Sequence, residues 1–587
     1  MKFLRNLLAA IIGCLIAFGI IFMMLFVFAS IIGNVEDTIS IKKNSILELQ
    51  LQQPISDYVG DNTLDPFAGA FFAQSQGLDE ILHAITIAKN DEDIKGISIN
   101  NNFIIAGLAQ TQAIRKALED FKKSGKFIYT YGDFYMQKDY YLASVADSIF
   151  LNPVGALDFR GLSSEVLFFK DFQEKTGVKM EVIRHGKYKS AVEPFIANEM
   201  SEANRTQIKE LISSLWSSMV EDISNGRNIL AKDLNVIADT LGGRSPEYAK
   251  LSGLIDDVIF YDQYEQKLKN AVGSQLNKDL NIVSLSDYVI RSNKKVIRNG
   301  KDKIAVVFAQ GEILYGEGGP NVIGQGIINK AIIKAKEDKD IKAIVLRVNS
   351  PGGSALTSDI IWREIELAKK KKPVIVSMGN VAASGGYYIA VGADKIFAEP
   401  TTVTGSIGVF GTVPNMAELA GEIGINAEQV GTNKNSVEYS FFEPMTDDFR
   451  NLVQESIEST YDTFLQRVSQ GRNISMAVAD SLAQGRVWSG VDAKRLGLID
   501  ELGNLEDAIA EAAKMAELTE YGVKKFPRYK SGLERFMEDL GGASAKVKQD
   551  FIEDEIGAEA YSILKQVKSA MKQQGVQARM PFILDFK

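Results

Sequence analysis

Thiol and imidazole groups are almost absent from this chain: across 587 residues Cys14 is the one cysteine, and His83 and His185 are the two histidines. A single cysteine excludes an intrachain disulfide and any metal site built from several thiolates. Neither histidine belongs to an HExxH pair or a similar ligand spacing, so no metal and no other cofactor is expected. An excess of basic residues is missing too. Lys and Arg number 66 against 75 Asp and Glu, a formal net charge of -9, which argues against nucleic acid as a partner. The remaining composition, 45% hydrophobic and 24% charged, is that of a globular protein too long for one core.

What the chain does have is a long apolar run near its start. After Lys2 and Arg5, residues Leu7 to Ile32 carry no charge, and these 26 residues exceed the roughly 20 needed to span a bilayer. A cleavable signal peptide has an apolar region of only about 7 to 15 residues followed by an A-x-A-like site, and no clear site of that kind follows here. The expectation is an uncleaved signal anchor over residues 1–33, a transmembrane helix with its basic end in the cytoplasm and the large body outside.

The body repeats itself. DYYLASVADSIFLNP from Asp139 aligns with GYYIAVGADKIFAEP from Gly386, Tyr140 facing Tyr387 at an offset of 247, and the same offset pairs IKGISIN from Ile94 with IKAIVLR from Ile341. NGRNI at Gly226 answers QGRNI at Gly471, and YAKLSGLIDDV at Asp256 answers DAKRLGLIDEL at Asp500. Such drift over a long stretch marks a duplicated domain with small loop insertions. Each copy alternates short apolar runs with amphipathic helical patterns, which predicts α/β units with buried, mostly parallel strands. The expected division is a first repeat over 34–290, a polar linker over 291–303, a second repeat over 304–520 and a charged, helix-prone tail over 521–587.

The copies differ where chemistry would lie. In MGNVAASGGYYIA, Met378 to Ala390, Ser384 sits among alanines and glycines after the apolar run PVIVSM, in a strand, turn, helix-start pattern. An N-cap accounts for a serine there as readily as a nucleophile does. At the 247 offset its counterpart is Gln137, so the first copy has no such hydroxyl. The second copy also holds NSPGGSA, Asn349 to Ala355, directly after a strand; its Gly-Gly pair fits either a turn or an oxyanion hole of backbone N–H groups. A serine nucleophile needs a base, and with histidine scarce the chemical alternative is a lysine whose pKa burial lowers. RHGKYKSAVEPF, Arg184 to Phe195, offers Lys189, which faces no lysine in the second copy, although most lysines are solvated surface residues.

Taken together, the anchor, both repeats, YKSAVEPF, NSPGG and ASGGYYIA resemble the signal peptide peptidase SppA family, also called protease IV, in its long two-repeat form. The resemblance implies tandem Clp protease/crotonase-like domains, each a spiral of ββα units, following the N-terminal transmembrane helix. It implies a membrane-anchored serine endopeptidase with Ser384 as nucleophile and Lys189 as general base, the backbone N–H groups of Gly353 and Gly385 forming the oxyanion hole, and Ser406 as a supporting hydroxyl. It implies a homotetramer around an enclosed cavity beside the bacterial inner membrane, on the periplasmic side, degrading signal-peptide remnants. The apolar, Gly-containing loop of residues 64–78 would rim that cavity, lie against the bilayer or form a mobile surface loop. A crotonase-like acyl-CoA enzyme and a non-catalytic membrane scaffold are the rival readings.

Overall fold

The computed structural model describes residues 2–33, 41–60, 75–529 apart from 102, 274–278, 294, 296–297, 434–435 and 437–438, and residues 577–580. The first repeat is built on a six-stranded sheet. From edge to edge its strands are Asp257–Val258, Ser148–Leu157, Phe127–Tyr135, Ile94–Asn100, Ser45–Leu49 and Ile282–Ser284, all parallel. The second repeat reproduces it with Val374–Ala383, Ile341–Ser350 and Lys303–Gln310 in parallel register, the strand Val403–Gly405 beside them and Val487–Ser489 antiparallel at the edge. Helices cover both faces, which is why the strands read as continuous apolar runs: Ile344, Val345 and Leu346 are all buried. The 26-residue helices Glu202–Arg227 and Asp447–Arg472 correspond; Ser201 and Thr446 cap their N-termini, and Asn228 and Asn473 end them at φ 55° and 52°.

The tail departs from expectation. Gly522–Phe526 is not helical and does not stand apart from the repeats; it pairs in parallel with Lys303–Val307, the place Ile282–Ser284 takes beside Ser45–Leu49 in the first repeat. Its sequence, GVKKF, has two adjacent lysines and buries only Gly522 and Phe526, so no alternating pattern announced a strand. Gln577–Arg579 is a further strand.

A third sheet draws on both repeats. Its order is Val322–Ile323, Glu312–Ile313, Gly352–Ser354, Gln577–Arg579, Val409–Asn415 and Lys179–His185, the last pair antiparallel over seven residue pairs. The repeats are also clamped by a buried ion pair, Arg347 Nε to Asp57 Oδ2 at 2.8 Å, in which Arg347 also donates to Ser377 Oγ and Met378 O.

Lys2–Gly33 forms a 32-residue helix with Ile11, Leu15, Ile16, Phe18, Phe22 and Met23 exposed. Counting only the described side chains, no helix is long and apolar enough to cross a membrane. The 64–78 loop falls almost wholly outside the described residues; only its end, Gln76–Gly77, pairs with Ile55–Ser56.

Candidate active site

Strand Val374–Ala383 runs straight into Ser384, which turns the chain into helix Gly385–Ala390. Ser384 holds φ 55° and ψ -115°, a region that non-glycine residues enter only under constraint. The two glycines that follow are packed too closely to carry side chains. A Cβ on Gly386 would lie 2.7 Å from Ser350 O, and one on Gly385 2.7 Å from Ser358 Oγ. Ser384 occupies the N-cap position, yet its hydroxyl makes no capping hydrogen bond. It faces Lys189 instead.

Lys189 Nζ lies 2.9 Å from Ser384 Oγ, 3.0 Å from Ser406 Oγ and 3.1 Å from Ser406 O. The three side chains, from both repeats, are completely buried. Lys189 follows strand Lys179–His185 and opens a short 3-10 turn, Ser190–Val192. Its loop is pinned on several sides: Tyr188 N–H donates to Gln484 O, Arg184 donates to Lys189 O, and Gln207 Nε2 donates to Tyr188 O and Ser190 Oγ. Glu193, in the same motif, accepts from Ser201 Oγ and Asn204 Nδ2, tying the loop to the start of the long helix. Two glycines make room for the lysine stem. Gly485, at φ +81°, would bring a Cβ within 2.6 Å of Lys189 N, and a Cβ on Gly408 would lie 3.2 Å from Lys189 Cδ. Phe410 covers the amine, its ring centroid 5.8 Å from Nζ.

Burial alone pushes the Lys189 amine well below the usual lysine value, and it has no carboxylate partner among the described residues. Its three polar contacts suit a neutral amine. The lone pair can accept the Ser384 hydroxyl proton while the two remaining N–H bonds go to Ser406 O and Oγ.

The Gly-Gly loop stands on the other side. Gly352 and Gly353 have φ +99° and +151°, and a Cβ on Gly353 would lie 2.1 Å from Ile313 O, so neither position admits a side chain. Gly352 N–H donates to Ser350 Oγ, and the position of a Gly352 Cβ is 2.8 Å from Gly385 N, so the loop and the helix start converge. The sequence-selected residues Ser384, Lys189, Ser406, Gly353 and Gly385 thus belong to one locality. Gly408, Phe410, Gln484 and Gly485 belong to it as well; Phe410 lies on strand Val409–Asn415, and the other three are single loop residues that carry no sequence signal to mark them.

The equivalent place in the first repeat is closed. Gln137 opens helix Gln137–Ala143, but its Oε1 accepts from the N–H groups of Arg160 and Gly161 and its Nε2 donates to Gly161 O. It serves as a backbone clasp where the second repeat holds the Ser384 hydroxyl against Lys189.

The family model described as Peptidase family S49 matches residues 120–275 and 366–519, once in each repeat. The chain belongs to peptidase family S49. Lys189 falls in the first matched segment of this S49 peptidase and Ser384 in the second. Protease 4 from Haemophilus influenzae is 39% identical over 74% of this chain and 72% of its own length. The chloroplastic serine protease SPPA of Arabidopsis thaliana is 32% identical over 81% of this chain and 70% of its own. Among solved structures, a point mutant of ClpP1 from Listeria monocytogenes matches 35% of this chain and 94% of its own at 18% identity, with a TM-score of 0.24. The S49 chain is accordingly a serine peptidase with an α/β fold in two repeats.

Proposed function

We propose that this serine peptidase works through a Ser384–Lys189 dyad shared between its two repeats and degrades signal-peptide remnants at the membrane. The observation that carries the dyad is the 2.9 Å contact between a buried amine, without a counter-charge among the described residues, and a serine whose side chain makes no cap. Neutral Lys189 takes the Ser384 proton, the alkoxide attacks a peptide carbonyl, and N–H groups of Gly353 and Gly385 receive the developing oxyanion. The lysine then gives its proton to the leaving amine, and water activated in the same way releases the acyl group. Ser406 orients the amine throughout.

Membrane anchoring rests on the 32-residue N-terminal helix, with its exposed apolar residues after Lys2 and Arg5. The body then stands on the periplasmic side of a bacterial inner membrane. A homotetramer enclosing a membrane-adjacent cavity would cover exposed apolar residues such as Ile423, Val430, Phe441 and Phe442. The names of the relatives support a peptidase over an acyl-CoA enzyme or an inert scaffold.

The test is peptide hydrolysis by purified protein in detergent. Ser384→Ala and Lys189→Ala should each lower kcat by about 1000-fold or more while circular dichroism stays unchanged. Wild-type hydrolysis by the Lys189 variant overturns the dyad.

A further inference from the structure

The third sheet contains a strand foreign to either repeat's core. Gln577–Arg579 lies between Gly352–Ser354 and Val409–Asn415, antiparallel to both. Without it the sheet would have a gap one strand wide, bounded by the Gly-Gly loop on one side and by the strand following Ser406 and Gly408 on the other. A slot of this kind takes an extended peptide by strand addition, with backbone hydrogen bonds supplying affinity.

The register is specific. Gly352 faces Arg579, Gly353 faces Ala578 and Ser354 faces Gln577. Met580 N–H donates to Pro351 O at 2.6 Å. Hydrogen-bonded pairs recur every second residue in an antiparallel ladder, so Gly353 and Ala578 fall in the bonded phase, where each N–H reaches the other's carbonyl. Ala578 O lies 2.2 Å from the position of a Gly352 Cβ and 3.0 Å from that of a Gly385 Cβ. The Ala578 carbonyl therefore rests over the two glycine segments that would hold an oxyanion. Residues beyond it are held as well: Arg579 Nη1 lies 3.4 Å from Glu312 Oε1, and Met580 is buried. With the strand in place Ser384, Lys189 and Ser406 have no solvent exposure.

We propose that Gln577–Met580 is a built-in pseudosubstrate, occupying the peptide slot of this active site with Ala578 in the acyl position. The proposal rests on the dyad reading for the identity of the site. A substrate must displace this segment before it can pair with Gly353, and tethering gives the segment an effective concentration of order millimolar, enough to compete with free peptide.

The experiment measures binding without cleavage. A fluorescein-labelled peptide, Gln-Ala-Arg-Met-Pro, is titrated by anisotropy against full-length Ser384→Ala protein and against the same protein carrying Ala578→Pro or Arg579→Glu. Ala578→Pro removes the N–H that pairs with Gly353, and Arg579→Glu sets two carboxylates together at Glu312. Both should tighten peptide binding by about tenfold or more, because the internal competitor is released. Affinities equal within about twofold, or no detectable binding in any variant, overturn the proposal. The charge variant keeps the test decisive where the proline variant misfolds. Since Ser384→Ala removes hydrolysis from this measurement, a failed dyad appears only in the activity assay and a failed pseudosubstrate only in the affinities.

Discussion

Lys189 and Ser384 are separated by 195 residues in sequence and by 2.9 Å between Nζ and Oγ in space. The amine lies in a fully buried site, and burial holds its pKa well below the ordinary lysine value of 10.5. A lysine base works only when neutral, and it is neutral above its pKa. kcat/KM should therefore rise with pH through a single ascending limb whose midpoint lies clearly below 10.5, read from initial rates across the pH range. Lys189→Arg introduces a guanidinium that cannot shed its proton, and should be inactive at every pH.

Ser406 offers the amine both its hydroxyl and its carbonyl. Ser406→Ala leaves one buried N–H of Lys189 unpartnered, which costs about 1 to 3 kcal/mol. Activity should fall roughly tenfold to a hundredfold, with the ascending limb displaced along the pH axis and with Ser406→Thr restoring most of the rate. An unchanged pH profile would reduce Ser406 to a packing residue.

Asp57 and Arg347 form the clamp between the first repeat and the second, both nearly inaccessible to solvent. Gln110 Nε2 also donates to Asp57 at 2.7 Å. Removing one partner strands the other as an uncompensated buried charge. Asp57→Ala should destabilise the protein by about 3 to 5 kcal/mol in urea unfolding. It should also lower peptidase activity, because the clamp helps hold the repeat that carries the lysine against the repeat that carries the serine.

Glu399 makes stability depend on pH in the opposite sense to a salt-bridged carboxylate, whose folded-state pKa is lowered. Burial pushes its pKa up to about 7, against the pull of Lys116 and Arg347, and its Oε1 has no hydrogen-bond partner among the described residues. An acid with a raised folded-state pKa binds its proton more tightly in the folded chain, so its contribution is complete at about pH 4.5 and is lost as the pH rises toward about 7. Glu399→Gln should leave stability near pH 4.5 little changed and raise it at pH 8 by roughly 2 to 3 kcal/mol, measured by denaturant midpoints at the two pH values. Equal differences at both would contradict the assignment.

The duplication, the α/β class and the unequal chemistry of the two copies were legible because each is written in local order. Aligned stretches such as DYYLASVADSIFLNP and GYYIAVGADKIFAEP preserve strand and helix periodicity, and their offset exposed Gln137 opposite Ser384. The scarcity of histidine pointed to a lysine base and the missing counterpart made Lys189 a candidate, but its role came from the resemblance carried by YKSAVEPF. Gly485 and Gln484 could not, since a loop residue that cradles another loop through its backbone leaves no periodic trace. The strand Gln577–Arg579 was equally silent, being three residues long and identified only by the slot it fills.

By itself the sequence determined which groups were available: Ser384 and Lys189, neither with a like residue at the aligned place in the other copy, a Gly-Gly loop and an N-terminal apolar run. Tertiary structure alone decided that the Ser384 hydroxyl caps no helix, that Lys189 is fully buried with no carboxylate partner among the described residues, and that the chain's own tail lies between the Gly-Gly loop and the strand beyond Ser406. The division has a physical cause. Residue type and period are properties of neighbours along the chain, whereas desolvation, hydrogen-bond partners and sheet membership are set by segments hundreds of residues away.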